Sequence, residues 1–131
     1  GASVAHGGDV DDDGVLVPTV LTDTTADMKV WTEEVFGPVV GISTYRTLDE
    51  AIAAANDTHY GLQAAIFTND VGAAIAAFQR LDFGGVCVNE VPTWRADQQP
   101  YGGIRDSGNT REGPAYSVRE MTELRMVILN S

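Results

Sequence analysis

Cysteine is almost absent from this sequence, and positive charge is scarce. The single cysteine, Cys87, excludes a disulfide within the chain and any zinc site built from several cysteines. The two histidines, His6 and His59, are far apart in the sequence and lack the spacing of a paired metal-binding motif. We therefore expect no metal site.

Basic residues number eight against nineteen acidic ones, so the net charge is −11. That charge would repel a nucleic-acid backbone and an anionic lipid surface alike. No apolar run approaches the roughly 20 residues of a membrane-spanning helix. The first ten residues also lack the basic start and apolar stretch of a signal peptide. We expect a soluble, cytoplasmic protein that binds neither nucleic acid nor membrane.

What the sequence does contain is the patterning of a folded α/β domain. Apolar residues make up 44% of the 131 residues, enough for one packed core. Strand-like apolar runs cover residues 16–22, 39–45, 64–68 and 86–89, and residues 23–37 are predicted to be loop. Helical patterns separate the second, third and fourth runs. This alternation predicts βαβ units and a parallel sheet.

The helices carry recognisable start signals. Thr47, with Glu50 three residues later, forms a capping box before the first helix. Asn69 is predicted to cap the second helix. The apolar face of that helix includes Val71, Ile75 and Phe78.

A Gly- and Pro-rich loop, residues 90–113, follows the last internal strand and leads to a short helix that begins at Pro114. Loops of about 20 residues within a compact domain are usually functional. Residues 124–130 are rich in strand-forming side chains and predict a final strand, which would seek a partner edge.

Three features that resemble functional sites have simpler interpretations. Residues 9–14 copy the first half of a calcium loop, but Val20 stands where its glutamate is required, so we predict an acidic turn. Cys87 lies in the middle of a strand with no basic neighbour in the sequence, which favours a structural residue over a nucleophile. Ser107 has no His or Asp partner at the positions of a hydrolase motif.

Four segments, in this order and spacing, resemble the aldehyde dehydrogenase superfamily. They are EEVFGP at 33–38, NDTHYGL at 56–62, GVCVN at 85–89, and PYGGIRDSG at 100–108 followed by REG at 111–113. The resemblance covers essentially the whole chain. One departure is Arg105, where the family usually has lysine, and the charge is kept.

The resemblance implies a place within a larger fold. Residues 1–121 match the C-terminal half of the family's catalytic domain, and residues 122–131 match its oligomerisation arm, which pairs across subunits. A last strand within the chain's own sheet is the alternative for the arm. The family's nucleophilic cysteine and general-base glutamate lie in segments that this sequence does not contain, so no catalytic residue is expected here.

The resemblance also implies site residues. Glu34 would hold the nicotinamide ribose of NAD or NADP, since a carboxylate offers two acceptor oxygens to a pair of hydroxyls. Phe36 would pack beside the nicotinamide ring, and Leu62 would line the same cavity. Trp94 and Tyr101 are placed by the resemblance at the substrate channel.

Arg95 belongs to a stretch, residues 88–95, that looks like family members acting on small polar or anionic aldehydes. A guanidinium can hold a carboxylate, phosphate or phosphonate with two hydrogen bonds. The alternative is a surface arginine paired with Asp97.

Two hypotheses of function follow. In the first, the chain is part of an NAD(P)-dependent aldehyde dehydrogenase that oxidises an aldehyde to a carboxylic acid and works as a dimer or tetramer. In the second, it is a truncated, non-catalytic module for binding or assembly. In both, the 131 residues alone are expected to be inactive and to self-associate through exposed apolar edges.

Overall fold

The structure, a computed structural model, describes residues 1–130. The chain divides into two compact units, one ending at Ala51 and the other beginning at Ile52. Each unit contains a pair of parallel strands joined through a helix, so the predicted α/β class is confirmed. The predicted boundary after residue 121 stays a prediction.

The first unit contains a three-stranded sheet of β1 (Ser3–His6), β2 (Thr19–Thr22) and β3 (Val39–Gly41). The central strand, β2, runs antiparallel to β1 and parallel to β3. A single helical turn, α1 (Lys29–Thr32), lies on the connection from β2 to β3. The all-loop prediction for residues 23–37 is therefore wrong at α1, because one turn is too short to show a helical period.

The strand predicted over residues 16–22 begins only after Pro18, which has no N–H to donate to a ladder. Thr19 is the first residue of the strand and is buried. Its hydroxyl donates to the Val17 carbonyl at 2.7 Å and accepts from the Gly8 N–H at 2.9 Å. This satisfies a buried polar group and ties the acidic loop to the start of the strand.

The acidic loop closes on itself. One carboxylate oxygen of Asp11 accepts from the N–H groups of Asp13 and Val15, at 3.1 and 2.8 Å. An antiparallel bridge joins Val10 to Leu16. The predicted acidic turn is confirmed, and the described residues contain no group of three or more His, Cys, Asp or Glu side chains that could hold a metal.

The boundary between the units falls inside α2 (Leu48–Asn56). The Thr47 hydroxyl accepts from the Glu50 N–H at 3.2 Å, as the capping box predicts. The reciprocal bond differs, because the Glu50 carboxylate accepts from the N–H of Arg46 at 2.9 Å instead of that of Thr47. Ile52 is the most buried apolar residue of this helix.

The second unit is built on β4 (Gln63–Ile66), α3 (Val71–Arg80) and β5 (Gly85–Val88), with β4 and β5 parallel. Asp70, not the predicted Asn69, caps α3, and its carboxylate accepts from the N–H groups of Gly72 and Ala73. Within the described residues β3 does not pair with β4, so the parallel strands form two separate sheets.

The predicted apolar face of α3 is present but uncovered. Val71, Ile75 and Phe78 are 72, 52 and 70% exposed, whereas Ala77 on the same helix is completely buried. Neighbouring apolar side chains left exposed in this way are typical of a surface that another element or another protein covers. The sequence led us to expect exposed apolar edges of a sheet, whereas this exposed face belongs to a helix, so the exposed edges and the self-association both stay predictions.

The last regular element is α4 (Pro114–Glu120), which has its proline in the first turn as predicted. The strand predicted over residues 124–130 is not formed, and these residues pair with none of the strands in the described chain. The last predicted residue of the arm, Ser131, lies outside the described residues. No helix among the described residues is long and apolar enough to cross a membrane.

Candidate substrate and cofactor site

One cavity of the second unit lies between the β4–β5 strand pair and the loop that follows β5. Its volume is about 630 Å³, within the range of small-molecule sites. We call it the sheet–loop cavity, and we call residues 89–113 the β5–α4 loop. Strand residues on one side and loop residues on the other line the cavity, among them Gln63, Cys87, Trp94, Gln99, Tyr101 and Gly102. The structure therefore brings together Trp94 and Tyr101, two of the predicted substrate residues.

Glycines let the β5–α4 loop approach the strands with its backbone. A Cβ atom at Gly84 would lie 1.8 Å from the Gly102 carbonyl oxygen, and one at Gly61 would lie 2.6 Å from Cγ1 of Ile104. The Gly61 carbonyl accepts from the N–H groups of both Gly84 and Ile104, at 2.9 and 3.0 Å. Because glycine has only a hydrogen atom at these positions, the loop backbone comes close enough to the strands to form one wall of the cavity.

Tyr101 holds the loop at its far end. Its N–H donates to the Gln99 carbonyl at 2.8 Å, and its carbonyl accepts from the Glu112 N–H at 2.6 Å. The second bond is part of an isolated antiparallel bridge between Tyr101 and Glu112. The bridge brings the REG motif back beside the aromatic ring that lines the cavity.

Arg95 contacts both residues of this bridge, Tyr101 and Glu112. Its Nη1 donates to a carboxylate oxygen of Glu112 at 2.8 Å, and its guanidinium carbon lies 4.7 Å from the centroid of the Tyr101 ring. The alternative partner from the sequence, Asp97, makes no ion pair with Arg95, so that pairing is wrong. Arg95 and Tyr101 share a second cavity of about 380 Å³ that also reaches Glu112.

Cys87 is half-buried in β5 and its side chain lines the sheet–loop cavity. Its sulfur lies 4.0 Å from the Gln63 amide nitrogen. Among the described residues no histidine, lysine or arginine is bonded to the thiol, which an activated nucleophile would require. The geometry agrees with a structural role, although Cys87 reaches a cavity wall and is not a fully buried core residue.

The two residues predicted at the cofactor, Glu34 and Phe36, are in the first unit. Phe36 is 92% exposed, and Glu34 is also exposed and makes no hydrogen bond or ion pair within the described chain. Its neighbour Glu33 differs, with one carboxylate oxygen 3.9 Å from the Lys29 ammonium. The Glu34 carboxylate therefore has no hydrogen-bond or ion-pair partner among the described residues, and the Phe36 ring is almost fully exposed.

Leu62, the third residue predicted at the cofactor, is in the second unit between Gly61 and β4. Its side chain is 38% exposed, and its carbonyl accepts from the Gly85 N–H at 3.1 Å. This bond belongs to the pairing of Gln63 with Gly85 at the start of the β4–β5 ladder. Its side chain lines none of the cavities described here.

Two residues of the GGIRDSG segment have structural roles that sequence reasoning missed. The Arg105 guanidinium donates to the carbonyls of Asn56, Thr58 and Asp82, and it lies 5.5 Å from the Phe83 ring centroid. The only sequence signal was the charge. Ser107 accepts through its hydroxyl from the Gly61 N–H at 3.0 Å.

Gln63 also escaped prediction. Its amide nitrogen donates to the Trp94 carbonyl at 3.2 Å, which joins β4 to the loop. Its amide oxygen is buried without a hydrogen-bond partner in the described chain. Its only signal in the sequence is a long polar side chain directly before the strand-like apolar run at residues 64–68.

Comparison with known proteins identifies the wider context of this site. Residues 1–127 match the model of the aldehyde dehydrogenase family. The chain is 47% identical over 130 residues to 3-sulfolactaldehyde dehydrogenase of Priestia aryabhattai, covering 99% of this chain and 27% of that protein. The chain therefore spans about a quarter of the length of the curated relatives that it matches.

Solved structures agree with this match over the same region. A lactaldehyde dehydrogenase structure superposes with a TM-score of 0.91 at 35% identity, covering 100% of this chain and 28% of that one. The glyceraldehyde-3-phosphate dehydrogenase of Methanocaldococcus jannaschii, complexed with NADP, superposes with a TM-score of 0.85 at 38% identity, covering 92% and 26%. The fold, the cavity-lining loop and the four sequence motifs all fall within the matched region, and the chain belongs to the aldehyde dehydrogenase family.

Proposed function

We propose that this chain forms the substrate-channel wall and the ribose-binding corner of an NAD(P)-dependent aldehyde dehydrogenase that oxidises a small anionic aldehyde. The observation that carries the proposal is Arg95, which stacks on the same Tyr101 ring that lines the sheet–loop cavity. The 3-sulfolactaldehyde dehydrogenase relative takes, by its name, an aldehyde that bears a sulfonate.

Arg95 has hydrogen-bonding capacity left for a substrate anion. A guanidinium carries five N–H donors, and only Nη1 of Arg95 is engaged, by Glu112. The Arg95 side chain is 46% exposed, so an anion could reach the remaining donors from solvent. Sulfonate, phosphate and carboxylate all present the paired oxygens that such a fork binds.

The chemistry of the reaction divides between this chain and the rest of the enzyme. The reaction needs a thiolate nucleophile and a base that activates water, and NAD or NADP, held by Glu34 and Phe36, would supply the hydride acceptor. This chain supplies none of those groups, so its 131 residues alone should be inactive. Its contribution is to orient the aldehyde and the cofactor, which governs the rate because reacting atoms must meet at close range.

Glu34 and Phe36 are proposed to orient the cofactor. The Glu34 carboxylate has no protein partner within the described chain, so both oxygens can accept from the two ribose hydroxyls. The Phe36 ring is exposed, and an exposed ring of that size fits a role as packing surface for a planar ligand. For Leu62, in the second unit, a role at the cofactor rests on the resemblance alone and stays a proposal.

The substrate proposal is tested by changing Arg95 in the full-length enzyme. Arg95→Ala should lower kcat/KM for 3-sulfolactaldehyde by about 10- to 150-fold, the value of a charge-assisted hydrogen bond. It should change kcat/KM for lactaldehyde, the neutral counterpart, by less than about threefold. Arg95→Lys keeps the charge, loses the fork and should fall between the two. An equal loss on both aldehydes would contradict the anion-binding role.

The cofactor proposal has a matched pair of variants in adjacent residues. Glu34→Gln keeps the shape but weakens acceptance from the ribose, so hydride transfer should slow about tenfold. Glu33→Gln, one residue away and paired with Lys29, should leave it unchanged. Single-turnover formation of NAD(P)H measures the step. Equal rates for the two variants would remove Glu34 from the site.

The assembly proposal rests on the exposed apolar residues of the C-terminal tail, residues 122–130. In this tail Leu124 is 104% exposed and Leu129 is 90% exposed. We propose that the tail pairs with a neighbouring subunit in a homo-oligomeric, cytoplasmic enzyme.

The purified chain should show no NAD(P)-linked aldehyde oxidation. Oxidation by the chain alone would contradict the division of chemistry, whereas an inactive full-length protein would favour the assembly module.

A further inference from the structure

We propose that Gln63 is a positioning residue for the substrate wall: its carboxamide reaches across β5 and fixes the loop that carries Trp94 and Arg95. The hydrogen bond from Gln63 Nε2 to the Trp94 carbonyl, at 3.2 Å, is the direct link. The proposal rests on the proposed function insofar as this loop is the substrate wall.

The strand register explains how the side chain of Gln63 reaches the loop. Gln63 on β4 lies directly opposite Gly85 on β5. Because Gly85 has no side chain, the Gln63 amide passes over it. A Cβ atom at position 85 would lie 3.2 Å from both Cγ and Nε2 of Gln63. The pairing of a long amide with a glycine therefore opens a path from β4, across β5, to the loop.

The hydrogen bond from Gln63 reaches the loop next to two of the proposed substrate residues, Trp94 and Arg95. The Trp94 carbonyl is immediately before Arg95 in the chain, and the Trp94 side chain lines the same cavity as Gln63. A backbone fixed at residue 94 limits where the Trp94 ring and the Arg95 guanidinium can go. Besides this bond, the Trp94 N–H donates to the Val91 carbonyl at 3.1 Å, a bond within the loop itself.

The cost of the arrangement supports a specific role. The amide oxygen of Gln63 is buried without a hydrogen-bond partner in the described residues, and an apolar side chain of equal length would avoid that penalty. The opposite orientation of the amide would set oxygen against the Trp94 carbonyl oxygen, so the bond to Trp94 determines which way the amide faces. A buried conflict of this kind is typical of positions that serve function over stability.

The test uses the full-length protein labelled with 5-fluorotryptophan, in which the Trp94 resonance is identified by its loss in Trp94→Phe. Gln63→Met keeps the length of the side chain and removes the donor. We expect the Trp94 fluorine signal to move toward the position of a solvent-exposed ring and its H₂O-to-D₂O shift to increase, because the loop backbone at residue 94 has lost its bond to β4. Gln79→Met, on the exposed surface of α3, is the matched control and should leave the Trp94 signal in place.

A second variant perturbs the same contact without touching Gln63. Gly85→Ala introduces the Cβ atom that would crowd the amide, so it should move the Trp94 signal in the same direction. The double variant should move it no further than the larger single change, because both act on one contact. An unmoved Trp94 signal in Gln63→Met, or fully additive shifts in the double variant, would overturn the proposal.

The activity readout separates this inference from the proposed function. Gln63→Met should raise KM for the anionic aldehyde about fivefold, with kcat within twofold, because the wall binds substrate but does not react. An active enzyme with an unchanged KM would overturn the positioning role. A full-length protein that oxidises no aldehyde would overturn the proposed function, while the movement of the Trp94 signal would still support Gln63 as the residue that fixes the loop.

Discussion

Two stretches of the second unit lack α-helices and β-strands, and they are held in opposite ways. The β5–α4 loop, residues 89–113, is bonded to the strands and to itself at several points. The tail, residues 122–130, is bonded to the described chain only through the Thr122 hydroxyl, which donates to the Val118 carbonyl at 2.6 Å. Yet the tail has the more strand-like sequence of the two.

The difference shows what order requires. The loop satisfies its backbone groups because glycines permit close approach and because the arginine at 111 donates to the Gly103 carbonyl at 2.8 Å. The tail has strand-forming side chains, but strand propensity is expressed only when another edge accepts its hydrogen bonds. An irregular sequence with partners is ordered, whereas a regular one without them is exposed.

The largest effect on stability is expected where the β5–α4 loop comes closest to the strands, at Gly84 and Gly102. In Gly84→Ala the new Cβ atom would lie 1.8 Å from the Gly102 carbonyl oxygen, so the loop must move away from the strands. We expect a loss of about 3 kcal/mol in the free energy of unfolding, measured by urea denaturation. Gly37→Ala is the control, because its Cβ would meet only Cδ2 of Leu16, at 3.9 Å. Equal stability of the two variants would contradict the close approach.

A smaller effect is expected where the loop is held by a side chain. Arg105→Ala removes donors to the carbonyls of Asn56, Thr58 and Asp82, and we expect a loss of about 2 kcal/mol. Arg105→Lys should lose about half of that, because one ammonium cannot fork toward separate carbonyls. Thermal or urea unfolding measures both variants.

The matched arginine in the tail sharpens the comparison. Arg125 is exposed and bonded to no other described residue, so Arg125→Ala should change the free energy of unfolding by less than about 0.5 kcal/mol. If Arg125→Ala destabilises the chain as much as Arg105→Ala, the tail is held by contacts that the structure does not contain.

The smallest effect on stability, but a large one on assembly, is expected in the tail. Ile128 is 78% exposed, so Ile128→Lys should leave the free energy of unfolding within about 0.5 kcal/mol of the parent. Self-association measured by sedimentation velocity should fall, because a charge now occupies the apolar edge. Asn130→Lys adds the same charge without removing an apolar side chain and should associate like the parent.

Patterns that depend on neighbours in the sequence were predicted well. The βαβ alternation, the start of α2 after Thr47 and the proline in the first turn of α4 follow from local signals and are present. The choice between Asn69 and Asp70 as the α3 cap was wrong, since the two residue types cap almost equally well and lie side by side.

Patterns that depend on distant contacts were predicted less well. Asp97 was considered as a partner for Arg95 because the two residues are only two positions apart in the sequence. In the structure the partner is Glu112, seventeen residues away, which the bridge between Tyr101 and Glu112 brings beside Arg95. The exposed face of α3 and the unpaired tail have the same cause, because periodicity identifies an apolar face but not the surface that covers it. The roles of Glu34, Phe36 and Leu62 came from resemblance and remain predictions.

One carbonyl oxygen in this chain accepts from both sides of the site. The Gly61 oxygen accepts from the N–H of Gly84, beside β5, and from that of Ile104, in the loop. Any opening that withdraws this oxygen exposes both amides in a single event, so their hydrogen exchange should report one free energy of opening and one dependence on denaturant. Loop and strands would then form a single cooperative unit, and a ligand that tightens one would slow exchange in the other.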